Sequence, residues 1–233
     1  MTISLIDVII IFSLLLGFLV GYRRGVVRQG VLTLGILLVV TLSFLFKNPL
    51  SMMLYKHLPF YTIGLLKNYS ILNILLYELI SFFLLFSLFT VILAIIVKIS
   101  GVVEQIVRFT IILAVPSKIL GGVMGVIENY IICFIVLLVV TMPIFSFSTE
   151  DFVSDSKLKD IILTKTLVLS NISGGLIDSI NSINDLLENK EKIGTKKFNC
   201  KTLDIFIKNE IVSEDSVDYL KKSNKIEKNC KKK

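Results

Sequence analysis

The sequence has no tryptophan, one histidine (His57), four prolines and three scattered cysteines in 233 residues. With one histidine, a Ser-His-Asp triad would have to run through His57, and a His-rich metal site cannot form. No GxGxxG, P-loop, HExxH, CxxC or GxSxG motif occurs. Asp7 is the single aspartate in the apolar part, where a paired-aspartate intramembrane protease needs two. An enzyme is therefore not expected, and no catalytic residue, cofactor or metal ligand is assigned. Charge is scarce too, but only over part of the chain. The first 143 residues hold nine Lys and Arg and four Asp and Glu, against 16 and 14 after Ile144. A compact soluble domain does not go that long with so little charge. The first part reads as membrane and the last 90 residues as a soluble tail.

What fills the gap is apolar. Hydrophobic residues make up 54% of the chain and mean hydropathy is +0.82, against about 45–50% apolar in soluble domains. Crossing about 30 Å of hydrocarbon takes about 20 apolar residues in a helix. Spans are expected at about 3–22, 26–46, 71–97 and 119–145, which together form a membrane domain over 1–145. The first lacks the basic n-region and cleavage site of a secretory signal. The fold class is all-α: a polytopic membrane protein with four transmembrane helices, a short amphipathic surface helix before the last span, and a small helical C-terminal tail over 146–233. The surface helix covers about 101–115, where Val102, Val103, Ile106 and Val107 share a face opposite Glu104, Gln105 and Arg108. Pro116 is expected to end it and Ser117 to cap the last span. The 47–70 connection, with Tyr55, Tyr61, Tyr69 and His57, reads as an interfacial loop.

Lys and Arg beside the span ends divide six against five between the two sides. The total decides nothing, but Arg23, Arg24 and Arg28 crowd the exit of span one. Positive residues favour the cytoplasmic side, which places both termini outside.

Gly17, Gly21 and Gly25 recur every fourth residue, and Gly121 and Gly125 open the last span. Small residues in this register let helix backbones approach closely. The partner could be a neighbouring span or another subunit. Three acids sit at membrane depth: Asp7, Glu78 and Glu128. Asp7 is one turn from an end and can reach water. Glu128, close to mid-membrane, is expected either to hydrogen-bond within the bundle or to line a polar cavity. No basic partner stands at its depth.

In the tail, Leu169, Ile172, Leu176, Ile180, Ile183 and Leu187 form an amphipathic stripe. It could lie on lipid, pack on the rest of the tail, or pair with a partner helix. The 190–199 stretch reads as a linker, 203–211 as a short helix, and Ser213 as the cap of another. The Lys-rich end, 225–233, is expected to be disordered. Cys200 and Cys230 could form a disulfide if the tail is outside and would stay reduced inside. The tail's net charge of +2 is too balanced for nucleic-acid binding.

Asp7 early in span one, Gly21-Tyr22-Arg23-Arg24-Gly25-Val26-Val27-Arg28 at its exit, and Lys118-Ile119-Leu120-Gly121-Gly122-Val123-Met124-Gly125 opening the last span together resemble the colicin V production (CvpA-like) family. The resemblance covers residues 1–145. It implies a small bacterial cytoplasmic-membrane protein that supports toxin production or export and envelope homeostasis. Related modules anchor an extracytoplasmic protease, which implies a C-terminus outside. Glu128-Asn129 departs from the family, where a basic residue and glycine often stand. The expected partners are the lipid bilayer, other membrane or envelope proteins, and a possible second copy. The rival expectations are an oligomeric channel or transporter with Glu128 on its path, and a simple membrane anchor.

Overall fold

A computed structural model describes residues 4–99, 114–145, 156–164, 175–189, 193–227 and 230. No strand occurs among them. Four long apolar helices run in sequence: α1 (Leu5–Arg24), α2 (Val26–His57), α4 (Leu72–Ile99) and α5 (Ala114–Val140), with one turn of helix, α3 (Leu65–Asn68), before α4. Each of the four is long and apolar enough to cross a membrane. The tail adds α6 (Lys157–Thr164), α7 (Leu176–Glu188), α8 (Thr195–Lys208) and α9 (Glu214–Lys222).

α1 and α2 are joined at Gly25 alone, whose φ of +78° is a conformation that a side chain would oppose. α5 packs along α1, and α2 lies between α5 and α4. The expected loop after Phe46 is instead helix. α2 continues through Pro49 to His57, although Pro49 supplies no N–H to the ladder. Packing explains the continuation, since Ser51 and Tyr55 on its inner face are completely buried. With 32 residues, α2 is about 48 Å long, so roughly a third of it extends beyond a hydrocarbon layer about 30 Å thick.

α4 matches it. Leu72, Asn73, Ile74, Leu75 and Tyr77 are buried, yet no described side chain between Phe83 and Ile96 is. The outer turns of α4 are wrapped in protein, and the rest is left to lipid. The tail does the wrapping. Phe198, Leu203, Phe206 and Leu220 join Tyr55, Leu72, Leu75 and Tyr77 in one core, and Tyr69 packs at a tilt against Phe198 with ring centroids 4.4 Å apart. The result is a headpiece built on the projecting ends of α2 and α4.

Four local expectations are corrected. Pro116 does not end a helix but lies within α5. Ser117 is not a cap, and its Oγ accepts from the Val26 N–H across the bundle at 3.3 Å. Part of the 190–199 linker is helical, because α8 begins at Thr195 and buries Phe198. Of the Lys-rich end, residues 225–227 and Cys230 are described, and Cys230 is bonded to Cys200. Ser213 does cap α9, accepting from the Ser216 N–H. The expected surface helix over about 101–115 lies outside the described residues except for Ala114 and Val115, which belong to α5.

Candidate functional site

The acids that are expensive in lipid locate the chemistry. Lys47, Ser51 and Tyr55 stand four residues apart and share one face of α2. All three meet Glu78 of α4. Lys47 Nζ donates to Oε2 at 2.7 Å, while Ser51 Oγ and Tyr55 OH donate to Oε1 at 2.6 and 2.9 Å. Lys47 also donates to Asn48 Oδ1 at 2.9 Å and to the Ile211 carbonyl at 3.0 Å. That uses all three ammonium donors, and the last bond ties the turn between α8 and α9 to the bundle. The two side chains are only 11% and 5% exposed. Beside them is a cavity of about 20 Å³, walled by Phe44, Phe82, Phe134 and Leu138 and roofed by Leu176 and Ile211. It has room for about one water.

Lys47 ends the apolar run of span two, so composition assigns it to a loop. The helical spacing 47, 51, 55 was the available signal, and it places a base opposite Glu78. Ser51 and Tyr55 were likewise missed.

Asp7 performs a different task. Its Oδ1 accepts from Ser156 Oγ at 2.6 Å and from the Leu158 N–H at 3.1 Å. Ser156 Oγ in turn accepts from the Lys159 N–H at 3.1 Å. Asp7 and Ser156 therefore satisfy the free donors at the start of α6 and fasten the tail to α1. Asp7 is 7% exposed, so its neighbour is protein rather than the headgroup layer.

Glu128 stands midway along α5, and its carboxylate is satisfied within the bundle. It hydrogen-bonds Gln29 of the first turn of α2 through Oε2, and Arg24 lies 3.9 Å from the same oxygen. Arg24 also donates to Gln29 Oε1 at 3.3 Å. Thr33 Oγ1 lies within hydrogen-bond reach of the Gln29 and Met124 carbonyls, at 2.9 and 3.1 Å. The network closes the bundle end opposite the headpiece. Arg24 supplies the base that no single helix shows, because α1 and α5 run antiparallel and its side chain reaches across. Arg23 and Arg28 are exposed at that same end.

The glycines lie in one seam. A Cβ on Gly21 would come within 2.9 Å of Gly125 Cα, and one on Gly121 within 2.6 Å of the Gly25 carbonyl carbon. Gly17 faces Asn129 and Gly125. The partner of this strip is thus a neighbouring span of the same chain. In the tail stripe, Leu176, Ile180 and Ile183 are buried and Leu187 is half-buried. That face is occupied by the protein itself and has no room for a partner helix. Leu169 and Ile172 lie outside the described residues. His57 is exposed, 2.9 Å from the Met53 carbonyl.

This arrangement defines a class: a multi-pass helical membrane protein whose tail docks on one end of the bundle through buried polar joints. The family model described as Colicin V production protein matches residues 6–166, and the chain belongs to that family. No curated protein and no solved structure matches the chain.

Proposed function

We propose that this is a non-enzymatic scaffold of the bacterial cytoplasmic membrane that supports toxin production or export. Both termini face the extracytoplasmic side, and the headpiece presents a rigid surface to other envelope proteins. The observation that carries the reading is the use made of the acids. Asp7 holds Ser156, Glu78 holds Lys47, and Glu128 holds Gln29 and Arg24. Each joins two or three elements, as a structural part does. The Cys200–Cys230 bond supports the orientation, since disulfides persist in oxidising compartments. Arg23, Arg24 and Arg28 at the opposite end support it again.

The test is crosslinking with mass spectrometry in native membranes, comparing the full chain with one truncated after residue 145. Envelope proteins captured by the full chain and lost on truncation, with insertion intact, support the scaffold. Identical captures contradict it. The channel reading is tested in reconstituted vesicles: solute or ion flux above that of empty vesicles, abolished by Glu128→Gln without loss of assembly, would replace the scaffold.

A further inference from the structure

The Cys200–Cys230 bond ties the end of the chain to α8. Cys200 is half-buried on that helix and Cys230 is buried. Glu227 stands three residues before Cys230, and one of its carboxylate oxygens and the two sulfurs all lie within 4.8 Å of one another. Oε2 of Glu227 is buried and has no hydrogen-bond partner. A disulfide has no hydrogen to donate, so the oxidised pair offers no bond to the buried Oε2. Two thiolates and a carboxylate, by contrast, make a donor set of the kind that holds zinc.

We propose that Cys200, Cys230 and Glu227 form a metal site that takes a thiophilic divalent cation, Zn²⁺ being the best match, when the disulfide is reduced. A dithiol reductant delivers two electrons and two protons to the sulfur–sulfur bond and is itself oxidised to a disulfide. Zn²⁺ then displaces the two thiol protons and binds both thiolates and the Glu227 carboxylate. Cys200 and Glu227 are part-exposed, which leaves the fourth position to solvent. Bond and metal are alternative clasps for the same strap. The strap carries Lys225, whose Nζ donates to the Tyr55 carbonyl, and to the Leu58 carbonyl at 2.7 Å, at the end of α2. Either clasp therefore holds the headpiece on α2. The site does not depend on the scaffold role or on which side of the membrane the tail lies.

The experiment uses the full chain in detergent with Cys133→Ala, so that the pair supplies the only thiols. Zn²⁺ uptake is read by competition with a chromophoric chelator, and Co²⁺ substitution reports thiolate coordination by its charge-transfer absorption. The reduced protein is expected to bind one Zn²⁺ per chain and the oxidised protein none. Glu227→Gln should weaken the reduced site at least tenfold, yet reoxidise to the same disulfide and elute as the same monodisperse species. No stoichiometric uptake by the reduced protein overturns the proposal. So does Glu227→Gln binding as tightly as the parent, which would leave a bare dithiol.

Discussion

Replacing Lys47 by methionine keeps the length of the side chain and removes its charge. Glu78 would retain Ser51 and Tyr55 as donors, and the Ile211 carbonyl would lose its bond to α2. Removing one partner of a buried pair typically costs about 3–5 kcal/mol. The expected loss is therefore about 3–5 kcal/mol at pH 7. Adding Glu78→Gln removes the stranded charge but keeps a carbonyl for Ser51 and Tyr55. The double variant should regain most of the loss. The chain has no tryptophan, and Tyr55, Tyr69 and Tyr77 are all buried in the headpiece, so tyrosine emission during denaturant unfolding in detergent reads this region. A loss below about 1 kcal/mol at pH 7, or a double variant no more stable than Lys47→Met, would refute the joint between Lys47 and Glu78.

The glycine seam and an open glycine make a matched pair. Gly21→Ala should destabilise the bundle by about 1–3 kcal/mol or more, because the added carbon meets backbone rather than a movable side chain. Gly30→Ala meets nothing within 4 Å and should gain up to about 1 kcal/mol from helix propensity; thermal melts in one detergent compare the two. Cys200→Ser opens a loop of 30 residues and should lower headpiece stability by roughly 3–4 kcal/mol on loop entropy, seen as a lower denaturant midpoint that reduction of the parent reproduces. Ser156→Ala should cost about 1 kcal/mol and speed hydrogen exchange at the first turn of α6, while the glycine seam stays as protected as before.

The sequence by itself determined the solvent of each part. Four long apolar runs with few charges have one economical solution in lipid, the helix, because every backbone N–H and C=O must find its partner within the segment. The glycine register, the Ser213 cap and the family resemblance were legible for the same reason: each is a local pattern, complete within a few turns. Tertiary structure decided where the helices stop and what the acids do. Lys47 looks like the first residue of a loop until Glu78, 31 positions away, is brought against it. Composition measures the hydrocarbon crossing, and it ends at Phe46. The helix ends at His57, because protein from the tail covers the turns beyond the lipid. Asp7 and Glu128 follow the same rule. Their partners, Ser156 and Arg24, are 149 and 104 positions distant, and one-dimensional spacing carries no information about a charge satisfied from another helix. The tail stripe shows the limit in the other direction. Its periodicity announces a buried face, but only the packed chain reveals that the covering surface is the protein's own.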